Sequence, residues 1–131
     1  MARNLGGRAV ARKPGNPDRA YQPERGDFAL VDFDPRVGTE QSGRRPALIL
    51  SPRSYNVATG LAFACPLTNQ VKGSAFEVAL PAGLGVTGVV LANQLRAIDW
   101  IERHASFHAR APRTLLDEVL ARIEAVLYSV A

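Results

Sequence analysis

Five apolar runs of nine residues or fewer follow one another with turn residues between them: GDFALVDF (26–33), ALILS (47–51), LAFAC (61–65), AFEVAL (75–80) and TGVVLANQL (87–95). RAIDWI (96–101) extends the last of them as a further strand or a bent continuation. Runs this short, divided by turns rather than by long helices, read as strands. They predict a mainly β chain of the α+β class, with an antiparallel sheet curling into a small barrel. One stretch breaks the pattern: LLDEVLARIEAVLYSV sets Leu116, Val119, Leu120, Ile123, Val126, Leu127 and Val130 on one helical face. Thr114 and Asp117 approximate a capping box, so a C-terminal helix is predicted from near Leu115. A shorter helical turn is predicted at PRSYN (52–56).

A chain of 131 residues suits one domain. No stretch reaches the roughly 18 uninterrupted apolar residues of a membrane span, and the first residues carry arginines without an apolar run. A cytoplasmic protein without a secretory signal is expected. Cys65 is the only cysteine, which excludes an intrachain disulfide and a cysteine-based zinc site. Inside a strand-like run it reads as a small buried hydrophobe rather than a nucleophile. The net charge of +4 is unevenly spread. Residues 1–25 hold six basic side chains against two acidic ones, and residues 26–131 hold ten of each. We therefore read residues 1–25 as a basic, flexible extension that is either plainly solvated or weakly attracted to nucleic acid, and residues 26–131 as a neutral domain. Any anion site on that domain must come from local clustering.

The connection between the first two runs is where such clustering occurs. If the first strand ends at Phe33 and the second begins at Ala47, residues 34–46 make a connection of 13 residues, longer than most hairpin loops and of the kind that usually carries function. It ends in Arg44, Arg45 and Pro46. Pro46 disfavours the helical region for the residue before it, so Arg45 is predicted to be held extended, with Arg44 pointing the other way and free. A fixed guanidinium with forked donors suits a phosphate, and a structural salt bridge is the alternative. His104 and His108 have a spacing that would align them on a helix, but ASF between them gives little helical support, and a structural role is expected. GLGVTG (83–88) lacks a lysine at nucleotide-loop spacing and reads as a turn.

Four blocks in order, GDFALVDFDPRVGTEQSGRRPALILSPRSYN, CPLTNQ, FEVAL and VVLANQLRAIDW, resemble the MazF/PemK toxins, the ribonuclease halves of bacterial toxin–antitoxin pairs. The resemblance runs from about Gly26 to the C-terminus and implies a small SH3-like or CcdB-type barrel. Carried over by position, Arg45 and Thr68 are the implied catalytic pair, and Thr39, Glu40, Gln41, Asn69, Gln94 and Arg96 the implied substrate contacts. From the residues alone, Thr68 also reads as a turn residue bonding its own backbone in PLTN, and Glu40 and Gln41 as a solvated loop. Gln94 and Arg96, two apart, are expected on one strand face. Many relatives have an acidic residue where this chain has Asn93, which bears on base preference rather than on chemistry.

The chemistry implied by the resemblance is cleavage of single-stranded RNA without metal or cofactor. The ribose 2′-hydroxyl attacks the adjacent phosphate, giving a 2′,3′-cyclic phosphate and a 5′-hydroxyl. A guanidinium at Arg45 would stabilise the extra charge of the phosphorane and a hydroxyl at Thr68 would bond the same phosphate; Arg45 could also protonate the leaving oxygen. The implied assembly is a two-fold homodimer inhibited by a MazE-like antitoxin whose disordered acidic C-terminal segment threads the RNA grooves. Leu115 and Tyr128, off the main helical stripe, are candidates for a partner's contact. Two other classes share such a fold: a CcdB-like gyrase-poisoning toxin and a non-catalytic RNA-binding barrel.

Overall fold

The computed structural model describes residues 21–33 and 44–129. Along the chain these form β1 (Asp27–Asp32), β2 (Arg44–Ile49), α1 (Arg53–Thr59), β3 (Leu61–Thr68), β4 (Glu77–Ala79), β5 (Val89–Leu91), a 3-10 turn (Ala92–Gln94), β6 (Arg96–Asp99), β7 (Ser106–Arg110) and α2 (Arg113–Leu127). The seven strands make one sheet in the order β4-β5-β3-β2-β1-β7, with β6 paired to β3, and every pairing is antiparallel. The mainly β class with a C-terminal helix is as expected. Among the described residues the barrel does not close: β4 and β7 stand at the two ends of the strand path, without a strand between them.

Strand β3 organises the sheet. One of its edges pairs with β2, whereas the other is shared, Leu61–Ala64 running beside β6 and Leu67–Thr68 beside β5. Pro66, which has no amide to give to a ladder, stands at this fork. Side chains alternate across the sheet. Phe28, Leu48, Cys65, Leu67, Val78 and Val90 face α2 and pack with its Leu115, Leu116 and Val119. Ala29, Val31, Ala47, Ile49, Ala62, Ala64 and Ile98 form a second apolar cluster, completed by Trp100. Small residues on this second side let the sheet curl tightly around Trp100, whose indole N–H donates to the backbone oxygen of Asn56 in α1 at 2.9 Å.

Several local expectations are corrected. Helix α2 begins at Arg113 behind Pro112 and has no side-chain cap, so the Thr114–Asp117 box does not form. Asp117 instead pairs with Arg113 one turn back. Leu115 is core, only 4% exposed, whereas Val126, Leu127 and Tyr128 at the far end of the helix are exposed. Val130 lies outside the described residues. Strand β7 was not foreseen, because three of its five side chains are exposed and leave no apolar run. The predicted turn at PRSYN is a full α-helix, Arg53–Thr59, closed by Gly60 in the left-handed region.

Residues 21–25 pack against the body of the domain. Tyr21 donates its hydroxyl to Asp27 at 2.7 Å, and burial pushes its phenol well above the ordinary range. The backbone oxygen of Pro23 accepts from the buried Asn56 amide at 2.9 Å, and Arg25 donates to the Leu50 oxygen at 2.8 Å.

Candidate functional site

Arg44 and Arg45 open β2, and Arg45 is extended as Pro46 requires. Their side chains lie on opposite faces, but the roles are the reverse of the sequence reading. Arg44 is the tethered one: it donates to Asp32 at 3.0 Å, to the His104 backbone oxygen at 2.9 Å and to the Ser106 hydroxyl at 2.9 Å. Arg45 is exposed, and among the described residues its guanidinium has no hydrogen-bond or ion-pair partner. It shares a face with Val31, opposite it on β1, and with Ala47 and Ile49 two and four residues on.

Thr68 ends β3, the strand next to β2. The β2–β3 ladder pairs Ala47 with Pro66 and Ile49 with Ala64. By strand alternation Thr68, two residues past Pro66, lies on the same face as Arg45, two residues before Ala47, although the described β2–β3 pairing ends at Ala47–Pro66 and Thr68 pairs with Val89 of β5. The Thr68 hydroxyl oxygen accepts the Gln70 amide at 3.1 Å, so the turn role is real, and its own proton remains available to a ligand. Asn69 is exposed and its side-chain oxygen accepts from Thr87 at 2.9 Å, leaving the amide N–H groups outward. Gly88 brings β5 up to this turn. At φ +100°, a Cβ there would collide with the Thr68 backbone oxygen and lie 2.8 Å from the Asn69 oxygen.

Arg96, opposite Ala64 on β6, falls on the same sheet face as Arg45. Its guanidinium lies over the Phe33 ring, 5.0 Å from the centroid, a cation–π contact the sequence reading missed. The only signal for it was an aromatic at the end of the first strand. Gln94 does not share a strand with Arg96: it ends the 3-10 turn, exposed beside Asn93. Thr39, Glu40 and Gln41 lie outside the described residues.

The histidines occupy no common helix. His104 sits in the left-handed region at φ 53° with Nδ1 2.9 Å from Asp32, and His108 on β7 meets the Gly85 oxygen at 2.9 Å. The hydrogen bond from His104, followed by that from Arg44, holds the Asp32 carboxyl below its ordinary range. Burial pushes the Cys65 thiol up to about 12, which makes it no nucleophile at neutral pH. Among the described residues no three His, Cys, Asp or Glu side chains cluster as a metal site. The face therefore carries two permanent cations and a hydroxyl, an arrangement suited to an anionic, extended ligand and to a developing negative charge.

Comparison with known proteins points the same way. The chain is 42% identical over 107 residues to the endoribonuclease toxin MazF of Escherichia coli, a match spanning 82% of this chain and 96% of that protein. It is 40% identical over 113 residues to the Escherichia coli endoribonuclease PemK, spanning 83% and 85%. Among solved structures, a MazE–MazF structure from Deinococcus radiodurans superposes with a TM-score of 0.74 at 47% identity, covering 82% of this chain and 96% of that one. MazF alone from the same organism gives 0.75 at 50% identity, with 82% and 97% coverage. The family model for PemK-like, MazF-like toxins of type II toxin–antitoxin systems matches residues 24–127, and the chain belongs to that family.

Proposed function

We propose that this protein is an endoribonuclease toxin that cuts single-stranded RNA in the cytoplasm without metal or cofactor, with Arg45 and Thr68 at the scissile phosphate. The observation that carries the reading is a shared face: by strand alternation Arg45 of β2 and Thr68 of β3 lie on the same side of the sheet, the Arg45 guanidinium has no partner among the described residues, and the Thr68 hydroxyl can still donate. In the reaction the 2′-oxygen bonds to phosphorus as the bond from phosphorus to the 5′-oxygen breaks. The products are a 2′,3′-cyclic phosphate and a 5′-hydroxyl end. Arg45 offsets the charge on the equatorial oxygens and donates toward the leaving oxygen, while Thr68 donates to the same phosphate. A guanidinium has no lone pair with which to accept the 2′-hydroxyl proton, so Arg45 does not serve as the base; overall one proton leaves the 2′-oxygen and one is gained by the departing 5′-oxygen. Arg96, Gln94, Asn69 and, by resemblance, Thr39, Glu40 and Gln41 bind the flanking nucleotides, in which bases can be read on their exposed edges.

The active form is a homodimer, and its inhibitor is an antitoxin with a disordered acidic segment that folds onto the cationic face around Arg45. The exposed apolar end of α2 and the existence of MazE–MazF structures among close relatives support an assembly of this kind. The test is incubation of the purified protein with a long single-stranded RNA in excess EDTA, followed by mapping and chemical typing of the ends. Discrete cuts with cyclic-phosphate termini are expected, and Arg45→Ala should lower the rate by about two orders of magnitude or more. RNA binding without product would replace the reading with a non-catalytic one.

A further inference from the structure

Arg45 is held by few contacts for a residue assigned to charge stabilisation. The β2–β3 ladder begins at Ala47, so among the described residues Arg44, Arg45 and Pro46 are paired on one side alone, to Asp32, Val31 and Leu30 of β1. Pro46 supplies no amide, and Asp32↔Arg44 is the outermost rung among the described residues. A two-stranded end of this kind frays unless something outside it closes it. The segment between β6 and β7 does so. Arg103 donates to the backbone oxygens of Asp32 at 2.8 Å and Phe33 at 2.7 Å, and its own oxygen accepts the Asp32 amide at 2.9 Å. Arg44 bridges three acceptors, the Asp32 carboxylate, the His104 oxygen and the Ser106 hydroxyl. His104 adopts its left-handed backbone here and bonds the second Asp32 oxygen at 2.9 Å. The Arg44 guanidinium, the His104 ring and a backbone turn thus converge on Asp32, at the end of the rung next to Arg45.

We infer that Arg44, through its clamp on Asp32, His104 and Ser106, is a positioning residue for Arg45, and that the clamp also fixes Phe33 beneath Arg96. Arg44 points away from the face that carries Arg45, so its effect on cleavage is transmitted through the backbone of β2 and not by contact with RNA. A displacement of about 1 Å in a charge-stabilising group is enough to cost two orders of magnitude. This inference rests on the reading of Arg45 as the charge-stabilising residue.

The test uses the full chain and a short single-stranded RNA spanning the strongest cut found in a long one. Each variant is assayed at a temperature at which its thermal melt shows it folded. Arg44→Gln is expected to lower kcat by about 10- to 100-fold with KM within about threefold of the parent. Asp32→Asn, which keeps the shape but removes the charge, should do the same to a smaller extent, because two acceptors of Arg44 remain. If Arg44→Gln fails to fold, Asp32→Asn and Ser106→Ala decide the matter, each expected to lower kcat rather than raise KM. Wild-type kcat in the folded variants, or a rise in KM with kcat unchanged, would overturn the inference, the latter by making Arg44 a direct RNA contact. Arg45→Ala, assayed beside them, separates the two layers. If it cleaves normally, the reading of Arg45 itself is wrong; if it is inactive while Arg44→Gln is normal, only the clamp falls.

Discussion

A side chain at position 88 would run into the backbone oxygen of Thr68, and the φ of +100° already excludes most residues. Gly88→Ala is therefore expected to destabilise the fold by about 1–3 kcal/mol through backbone strain and to displace the Thr68 turn, so that cleavage falls further than the melting temperature suggests. Paired melting and rate measurements check this. Asp32 gives a second residue-level expectation. Its carboxyl is held below the ordinary range by His104 and then Arg44, so its contribution is present above the unfolded value of about 4 and is lost as pH falls through the lower folded value. Melts of the parent and Asp32→Asn between pH 3 and 7 should show the parent ahead at neutral pH and the gap closing in acid; a constant gap would rule out this account. At this scale the sequence was legible where the cause is local. Pro46 does hold Arg45 extended, and PLTN does form a turn on the Thr68 hydroxyl. Arg44 was misread because its acceptors include His104 and Ser106, about sixty residues on, and spacing along the chain cannot reveal such partners.

At the scale of elements, legibility follows burial. The runs that became β1, β2, β3, β5 and β6 are apolar because the sheet buries them, and each element lies within or overlaps its run. Strand β7 escaped because an edge strand pairs through its backbone while Phe107 and His108 face solvent. The division at Leu95–Arg96 was legible, but the 3-10 turn at Ala92–Gln94 escaped, since a single turn and a strand continuation have the same residues to offer over so few positions. Helix α1 shows a third kind of hidden cause. Pro52 cannot cap it and its first turn has no acidic residue, yet Glu24 accepts the Arg53 amide at 2.8 Å and the Arg25 amide at 2.9 Å. The bond from the Arg53 amide is the main cause that keeps the Glu24 carboxyl below its ordinary range. A carboxylate from 29 residues upstream thus serves as the missing cap. Glu24→Ala is expected to cost about 0.5–2 kcal/mol, the range for losing a cap, which would lower the melting midpoint by several degrees without changing the sheet. Unchanged melting would show that the carboxylate at this helix end contributes little.

For the molecule as a whole, charge is unevenly spread along the chain. Residues 1–20 hold five basic side chains and one acidic one, so residues 21–131 are neutral with eleven of each. The pI of about 9.8 comes from the extension, whereas the cations that face RNA in our reading, Arg45 and Arg96, belong to the sheet. Long-range attraction and chemistry are therefore carried by different parts of the chain, and shortening it should separate them. A chain beginning at Tyr21 keeps the Tyr21–Asp27 bond, the Pro23–Asn56 bond and the Glu24 cap. It should keep the parent's melting temperature, its dimerisation and its cleavage rate at saturating RNA, with KM rising only at low salt, where the lost cations matter. A chain beginning at Gly26 loses all three contacts and leaves Asp27, which is 3% exposed, with only Arg110 of its side-chain partners. It should melt several degrees lower while its folded fraction still cleaves. Sedimentation, melting and salt-dependent kinetics on the two shortened chains check each part separately. A Tyr21 chain that is a fully active monomer would remove the dimer from our account, and one that is folded but inert would assign the extension to the cleavage machinery itself.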